Sequence, residues 1–377
     1  MSRNKKLITL LSVMVCAVTA LVYVLVFTRE DSEVETKAEK EPEKVSVTIK
    51  AVGDNLIHSP IFKACRTEDG YNFDGLYVNI SPYILDADIA AINQETIFVE
   101  DTQTFTGYPA FGTPSQVGES VQKAGFNVIT HATNHTYDRG YNAMMHTMNF
   151  WKQYDHITVL GIHESPEKQQ EITVWEKDGL KIAMLNFTYG LNGYRLPQDK
   201  PYLVNILDCG EGNADLLKRA EELADITVVF VHFGTEYTHA PTAEQKSDVE
   251  FLTENGADVI IGGHPHVIQP VAEHTSENGN KSVVFYSLGN FLSNQSGTDK
   301  ILGGMASVTI TKENGETFVE SYEMIPTVTH AEGSTYTAYM LSDYTDELAA
   351  KHKRCPGLTV EKIQALYDKV MALEVYN

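Results

Sequence analysis

The chain has 377 residues and carries 51 acidic against 29 basic side chains, a formal net charge of −22 at pH 7. This length is enough for one large domain or two smaller ones. A surface this acidic repels nucleic acid and anionic lipid, which argues against DNA or RNA as a partner. The four cysteines form no CxxC pair, so neither a zinc ribbon nor a disulfide framework is indicated.

The N-terminus predicts a membrane anchor. Residues 7–27 contain no charged side chain, and a helix of this length spans roughly 30 Å of hydrocarbon. The basic stretch MSRNKK precedes it and predicts a cytoplasmic N-terminus, which places the chain from residue 28 onward outside the cell. We favour an uncleaved signal anchor over residues 1–28, with a cleaved signal peptide as the alternative. The charged segment 29–45 is predicted to be a flexible linker.

From residue 46 onward, short β-branched runs alternate with helical segments, which is typical of an α/β fold. Six runs each end in a polar cluster, and these clusters are GDNLIH, NQET, HATNHTYDRG, HFGTEY, GGHPH and SLGNF. Ligands bind beyond the carboxyl ends of the strands in open α/β sheets, so the clusters predict one site built from six loops. Six of the 13 histidines lie in the clusters, namely His58, His131, His135, His232, His264 and His266.

Helices are predicted between these runs, over YNAMMHTMNFWKQY, ADLLKRAEELA and TAEQKSDVEFLTENG. Residues 46–329 are predicted to form the main domain and residues 330–377 a C-terminal helical extension. In the extension, AYMLSDYTDELAAKHKR and VEKIQALYDKVMAL show helical periodicity, and Pro356-Gly357 separates them.

The residue types in the clusters are those that bind divalent metals. Manganese, iron and zinc take imidazole and carboxylate ligands, and sometimes an Asn carbonyl. A pair of such ions needs roughly six to eight protein ligands, usually with a bridging carboxylate. The clusters therefore predict a two-metal hydrolytic site that activates a bridging water for in-line displacement at phosphorus. The candidate residues are Asp54, His58, Glu95, Asn134, His135, His232, His264 and His266.

Several of these residues have a structural alternative. Asp54 taken alone could cap a turn or a helix, and His58 could be a surface histidine. Asn134 and Asp138 could be hydrogen-bonding loop residues at the start of the next helix. The segment His264-Pro265-His266 is the hardest to explain structurally, because proline fixes the backbone between two imidazoles.

Other polar residues are candidates for supporting roles. Glu236 could orient His232, as carboxylates commonly do for metal-bound histidine. Gln269 and Asn290 could hydrogen-bond in the same way, or could be satisfied loop residues.

In order along the chain, the motifs GDNLIH, INQE, ATNHTYDRG, VHFGTEY, GGHPHVIQP and YSLGNF resemble those of the bacterial CapA family. That family is associated with capsule synthesis, including poly-γ-glutamate, and the resemblance covers roughly residues 46–300. Its domain is similar to the calcineurin-like metallophosphoesterases. The resemblance thus implies a layered β-sandwich flanked by helices, with metals at the strand ends.

The resemblance also implies roles for individual residues. Glu95 would stand where the bridging acid belongs, and His135 would be the general acid beside the leaving group. Asp138 is assigned to the catalytic residues with His135, and Asn93 to the residues that support the ligands. The metal ligands would be Asp54, His58, Asn134, His232, His264 and His266, together with Glu95.

The sequence departs from this pattern in three places. Asp54 and His58 are four residues apart, whereas the phosphoesterases have Asp-x-His. Glu95 stands for a bridging aspartate. The segment Ser293-Asn294-Gln295 occupies the place where the family has Asp-Gln.

Two functions from different classes fit these observations. The first is a membrane-anchored extracellular hydrolase with two divalent metal ions, acting on a phosphoester or on a linkage in an anionic surface polymer. The second is a non-catalytic accessory protein for polymer assembly, export or retention, with a structural or vestigial metal site. Amide chemistry on poly-γ-glutamate is a third, because metal-activated water also attacks carbonyl carbon. The expected partners are the polymer or its precursor and other membrane components of capsule synthesis.

Overall fold

The structure is a computed structural model, and it describes Met14, residues 44–100 and residues 102–376. The predicted anchor at residues 7–27 lies outside the described residues except for Met14. The predicted linker also lies outside them up to residue 43. Within the described part of the chain, no helix has the length and apolar character needed to cross a membrane.

The strands of the described chain are numbered β1 to β16. They are β1 (Lys44–Asn55), β2 (Ile89–Asn93), β3 (Phe98–Val99), β4 (Thr113–Pro114), β5 (Val128–Thr130), β6 (Thr158–Leu160), β7 (Thr173–Lys177), β8 (Leu180–Thr188), β9 (Ile226–His232), β10 (Val259–Gly263), β11 (Val271–Thr275), β12 (Lys281–Phe285), β13 (Asn290–Leu292), β14 (Leu302–Glu313), β15 (Glu316–Glu332) and β16 (Thr335–Met340).

The helices of the described chain are numbered α1 to α11. They are α1 (Ser59–Ala64), α2 (Asp74–Tyr77), α3 (Ser81–Ile84), α4 (Gln116–Ala124), α5 (Gly140–Trp151), α6 (Pro166–Gln170), α7 (Glu211–Leu223), α8 (Ala243–Glu254), α9 (Thr298–Ile301), α10 (Asp346–Lys351) and α11 (Val360–Met371). Short 3-10 helices occur at Thr102–Thr104, Pro201–Leu203 and Leu341–Asp343. The three longer helices predicted from the sequence correspond to α5, α7 and α8.

Two large sheets organise the fold. The first has eight strands in the order β16-β15-β14-β1-β2-β5-β6, with β13 paired to β1. The second has six strands in the order β11-β12-β10-β9-β8-β7. β1, β2, β5 and β6 run parallel in the first sheet, and β8, β9, β10 and β12 run parallel in the second. Each parallel set therefore brings its carboxyl ends to one edge of its sheet.

The sheets pack face to face around a common core. Side chains alternate between the two faces of each strand, so each strand contributes to this core and to a second one on its other face. In β2, Ala91 enters the core between the sheets, whereas Ile92 faces a second core beneath the helices. In β9, Phe230 enters the central core and Val231 faces a third core that includes residues of α7 and α8. Burial on both faces explains the continuous apolar runs of these strands. The predicted layered β-sandwich flanked by helices is confirmed.

The C-terminal segment differs from its prediction. Residues 330–340 were expected to begin a helical extension, but they lie in β15 and β16 of the first sheet. Strand pairing accounts for this, since His330 pairs with Thr337 across the hairpin and alternate residues of β16 are buried. Two helices do follow, and Ala349 and Ile363 from them enter the central core.

Asp258 sits at the start of β10 and gives the fold a testable dependence on pH. Burial raises the pKa of this half-buried carboxyl to about 7, although the backbone N–H of Thr227 donates to it at 2.7 Å. The folded chain holds this proton to a higher pH than the unfolded chain does. The resulting stabilisation is complete below the ordinary Asp pKa of 3.8 and is lost as the pH rises through about 7.

Asp258→Asn is expected to remove this dependence. The stability of the parent relative to the variant should fall by about 2 kcal/mol between pH 4 and pH 8, a value reduced for partial solvent screening. Urea unfolding at several pH values measures the difference. Asp225→Asn is the matched control with the opposite slope, because Lys312 lowers the pKa of Asp225 against the effect of burial. Parallel pH profiles for the parent and Asp258→Asn would contradict the prediction.

Candidate metal centre

The carboxyl ends of five strands meet where the two sheets adjoin. β1 and β2 deliver Asp54 and Asn93, and Glu95 follows β2 by two residues. The loop after β5 carries Asn134, His135 and Asp138. β9 ends at His232, and the loop after β10 carries His264 and His266. All of these residues except Asn93, which is half-buried, are buried.

Glu95 lies at the middle of this group. Its Oε1 is 3.8 Å from Nε2 of His232 and 3.9 Å from Nε2 of both His135 and His266. Both carboxylate oxygens are buried without a hydrogen-bond partner among the described residues. Burial raises the pKa of Glu95 well above its usual range, and the carboxylate of Asp54 adds to this.

These contacts fit a bound metal ion better than a hydrogen-bonded network. Distances of 3.8–3.9 Å are too long for hydrogen bonds. Metal–ligand bonds of about 2.0–2.2 Å place ligand atoms of one ion roughly 3–4 Å apart. A cation would also satisfy both oxygens of Glu95, which otherwise have no partner in the described protein.

Asp54 and His266 form one group of candidate ligands next to Glu95. The carboxylate of Asp54 is 2.9 Å from Nδ1 of His266, and ligand atoms of Asp54, Glu95 and His266 lie within 4.8 Å of one another. Burial alone would lower the pKa of His266, but Glu95 and Asp54 raise it to about 9. A metal ion bound through this imidazole must therefore displace a proton.

Asn134, His232 and His264 form a second group of candidate ligands. Oδ1 of Asn134 is 2.9 Å from Nε2 of His232, and the rings of His232 and His264 are 4.9 Å apart. Nδ1 of His264 is buried and has no hydrogen-bond partner among the described residues. Burial lowers the pKa of His232 well below its usual range and that of His264 to about 3. Both rings are therefore neutral at neutral pH, the form that binds metals.

The backbone of the loop after β10 is strained at both histidines. His264 has a φ of 97° and His266 a φ of 57°, in the region that favours glycine. A Cβ at Gly263 would come within 2.8 Å of Oδ1 of Asp54, so glycine is needed for the close approach of that carboxylate. Strain of this kind persists where the surroundings fix the backbone, and it is concentrated at functional sites.

His264→Gly is expected to leave the metal-free protein about 1 kcal/mol more stable than His264→Ala does. Both changes remove the ring, but only alanine keeps a Cβ at this φ. Denaturant unfolding of the two variants measures the difference. At His274 in β11 the order should reverse, because glycine weakens a strand. Equal stability of the two variants at position 264 would show that the backbone is not strained.

His135 and Asp138 form a hydrogen-bonded pair beside Glu95. Nδ1 of His135 is 2.7 Å from Oδ2 of Asp138, which also accepts a 2.7 Å hydrogen bond from the backbone N–H of Phe111. The ring of Phe111 packs edge-on against His135 at 4.7 Å. With Nδ1 held by Asp138, Nε2 of His135 is the nitrogen directed towards Glu95.

His58 lies apart from the predicted ligands with which it was grouped. It is the N-cap residue of α1, and its Nδ1 is 3.0 Å from the carbonyl of Leu56 and 3.3 Å from the backbone N–H of Asn294. Its ring packs against Phe111 at 5.3 Å. Its hydrogen-bond and ring partners among the described residues include no other predicted ligand, although burial and then the charges of His266 and His135 lower its pKa to about 4.

Asn93 and Asn290 support the group from two sides. Nδ2 of Asn93 is 2.8 Å from Oδ1 of Asp54 and 3.3 Å from Nδ1 of His232, so one amide joins the two sheets. Asn290 donates to the backbone carbonyl of His266 at 3.1 Å. Asn290 thus fixes the loop rather than the imidazole.

Glu236 and Gln269 are placed differently from their predicted supporting roles. Glu236 is exposed, and the ring nitrogens of His232 contact amides instead, so the predicted contact between Glu236 and His232 is corrected. Gln269 forms a pair of hydrogen bonds with Gln245 and donates to the carbonyl of Thr238 at 2.8 Å. It is a satisfied loop residue, which was the alternative.

His131 was expected to join the convergent cluster but belongs to the core. Its Nε2 accepts a 2.8 Å hydrogen bond from the indole N–H of Trp151, and its ring packs against Phe98. Burial lowers its pKa to about 3. The backbone N–H groups of His131 and Ala132 instead donate to Oδ1 of Asn186, which fixes the start of the loop.

Sequence reasoning missed the loop after β8. Asn192 accepts from the amide of Asn134 at 3.1 Å and lies 3.3 Å from Nδ1 of His135. The ring of Tyr189 packs against His264 at 4.7 Å. The signal was present, because LKIAMLNF is an apolar run followed by the polar stretch TYGLNG, as in the six clusters.

The fold and site together define an α/β protein of two packed sheets with a cluster of acidic, imidazole and amide side chains at the strand ends. Residues 48–295 match the family described as bacterial capsule synthesis protein PGA_cap. The chain belongs to that family, which confirms the resemblance drawn from the six motifs.

Two curated relatives show the same relationship. The capsule biosynthesis protein CapA of Bacillus anthracis is 27% identical over 272 residues, which are 69% of this chain and 62% of that protein. The PGA biosynthesis protein CapA of Bacillus subtilis (strain 168) is 34% identical over 176 residues, which are 46% of this chain and 44% of that protein. The matches therefore span less than two thirds of either relative.

Solved structures with a similar fold include one described as a phosphatase and one described as a phosphoesterase. A phosphatase from Mycoplasma pneumoniae is 15% identical, with a TM-score of 0.48 over 75% of this chain and 93% of that one. A calcineurin-like phosphoesterase from Bacillus subtilis is 14% identical, with a TM-score of 0.42 over 87% of this chain and 98% of that one.

Proposed function

We propose that this protein is a metal-dependent hydrolase of phosphoester type that acts in the biosynthesis of an anionic capsule polymer such as poly-γ-glutamate. One observation carries the proposal. Three imidazole nitrogens surround a buried Glu95 carboxylate that has no hydrogen-bond partner among the described residues. Such a carboxylate is costly in a folded protein unless a cation is present.

Five residues besides Glu95 and His135 would not all serve one ion, so we assign them to two. A pair of divalent ions would supply an activated water and hold the oxygens of the reacting phosphoryl group. Oε1 of Glu95 lies within 3.9 Å of a histidine from each group of ligands, so Glu95 would be shared by both ions. Asp54 and His266 would hold one ion, and Asn134, His232 and His264 the other.

His135 would deliver the proton to the leaving group. Its Nδ1 is held by Asp138 at 2.7 Å, which fixes the ring and leaves Nε2 to carry the transferred proton. Asn192 and Phe111 restrict the ring further.

Substrate would enter beside the loop that follows β8. A cleft of about 700 Å³ is lined by Gly190, Leu191 and Tyr194 of that loop. Tyr189, the preceding residue, packs on His264. The loop after β8 thus contributes to both the cleft and the surroundings of His264, and this shared loop supports an extended substrate rather than a single small ester.

The proposal places the protein on the outer face of the cell membrane, on a single-pass anchor with its N-terminus in the cytoplasm. The apolar residues 7–27 and the basic MSRNKK stretch support this position. The proposed partners are the polymer or its precursor and other membrane components of capsule synthesis.

A non-catalytic accessory role in polymer assembly, export or retention is favoured by a different observation. Asn294 stands where the family resemblance implies an acid, and its side chain contacts Tyr336. Its Oδ1 accepts a 2.6 Å hydrogen bond from the hydroxyl of Tyr336. If that acid supports the site in the family, its loss would favour a site that binds metal without hydrolysing substrate.

Metal analysis and a turnover assay of the purified full chain together separate these functions. About two divalent ions per chain are expected, lost in Glu95→Gln and retained in His274→Ala, a histidine paired with Glu250 outside the site. Turnover of aryl phosphate esters by the loaded protein would favour the hydrolase, and bound metal without turnover the accessory role. A parent protein that takes up no manganese, iron or zinc would overturn the metal centre on which both proposed functions rest.

A further inference from the structure

Lys353 and Arg354 are adjacent cations in a chain with a net charge of −22. Among the described residues, no carboxylate lies within 4.0 Å of either charged group. The nearby Lys351 pairs with Glu347, and Glu332 lies 3.6 Å from His330. Two neighbouring positive charges thus lack counterions where acidic side chains are abundant.

Arg354 is fixed in place by backbone groups. Its Nη2 donates to the carbonyl of Asn294 at 2.6 Å, and its backbone N–H donates to Nδ1 of His352 at 3.1 Å. The Nε of Arg354 is buried without a partner among the described residues. The guanidinium is therefore held in a defined position with donors still unused.

Lys353 is held against the same segment. Its Nζ lies 4.2 Å from the ring centre of Tyr336 and donates to the carbonyl of Gly333 at 2.6 Å. The hydroxyl of Tyr336 in turn donates to Asn294. Burial and the charge of Arg354 lower the pKa of Lys353, as expected for like charges without a counterion.

A chain of short contacts leads from this pair to the candidate metal centre. The backbone N–H of Asn294 is 3.3 Å from Nδ1 of His58, whose ring packs on Phe111 at 5.3 Å. Phe111 packs on His135 at 4.7 Å. Four successive contacts therefore link Arg354 to His135, the proposed proton donor.

We propose that Lys353 and Arg354 form an anion subsite that binds a second phosphate or carboxylate group of the substrate, beside the group held at the metal centre. Both residues lie beyond residues 48–295, the part matched to the family. A guanidinium matches the paired oxygens of either anion, and Lys353 adds a second charge. That the anion belongs to a substrate rests on the proposed function.

Calorimetric titration of the metal-free full chain with inorganic phosphate tests the subsite without a contribution from bound metal. Arg354→Gln and Lys353→Gln are each expected to weaken phosphate binding about tenfold, the loss of one charge-assisted hydrogen bond. Arg354→Lys should recover part of the affinity. Arg219→Gln is the matched control, since Arg219 donates to Gln170 at 2.9 Å and should leave binding unchanged.

Thermal midpoints establish that each variant is folded, and the exposed Lys353 provides a second variant if Arg354→Gln does not fold. Equal phosphate affinity in the parent and in both glutamine variants would overturn the subsite, as would a parent that does not bind phosphate. Metal content distinguishes this failure from failure of the proposed function. Phosphate binding that depends on Arg354 in a protein unable to bind metal would support the subsite and remove only the hydrolase.

Discussion

Glu95→Gln is expected to lower metal affinity by about 100-fold or more and to abolish turnover. Changes in residues that merely support metal ligands already cost about 10- to 100-fold, and Glu95 would be a ligand shared by two ions. The amide matches the carboxylate in shape but carries no charge. Equilibrium dialysis against manganese or zinc measures the loss.

The same change should have the opposite effect on the metal-free protein. Burial raises the pKa of Glu95 well above its usual range, so ionised Glu95 destabilises the folded state when no cation is present. Above neutral pH, metal-free Glu95→Gln is therefore expected to be at least as stable as the metal-free parent. Thermal unfolding with and without metal gives both comparisons. Destabilisation of the variant in both states would show that Glu95 has a structural role instead.

His135→Asn is expected to reduce kcat by about 10²- to 10⁴-fold while the bound metal is retained. A general acid matters most when the leaving group is a poor one. The reduction should therefore be large for phenyl phosphate and small for a nitrophenyl ester. Asp138→Asn should lower kcat in the same direction but less, because Asp138 orients His135 through its 2.7 Å contact.

A series of aryl esters with leaving groups of graded pKa measures this effect. His163→Asn is the control, because His163 is a half-buried histidine whose Nε2 lies 3.1 Å from Oδ1 of Asn205 outside the site. Its kcat should remain close to that of the parent. An equal loss for all leaving groups in His135→Asn, or a loss of metal, would assign His135 to binding rather than to proton transfer.

The strands and the edge that carries the site could be predicted from the sequence, because buried parallel strands leave continuous apolar runs followed by polar turns. The contacts of individual side chains could not. His131 and His135 lie four residues apart in one loop, yet one joins the core through Trp151 and the other faces Glu95. Which way each ring turns depends on packing partners distant in sequence.

The misplaced C-terminal boundary has a similar cause. Residues 338–354 show helical periodicity, but Ala338 and Met340 are buried by pairing with β15, a contact that local sequence does not reveal. The charge of Glu236 suggested a partner for His232, whereas two amides from the first sheet occupy both ring nitrogens. In both cases, contacts between residues far apart in sequence determined the structure.

Each of the two sheets supplies about half of the candidate metal ligands. Asp54, Glu95 and Asn134 come from the first sheet and its loops, and His232, His264 and His266 from the second. An ion bound by ligands from both sheets would cross-link the sheets at one edge of the central core. At a free metal concentration about 100 times its dissociation constant, such binding would add about 2.7 kcal/mol to the stability of the folded chain. Metal binding would then slow the hydrogen exchange of strands far from the site, because the two sheets could no longer separate at that edge.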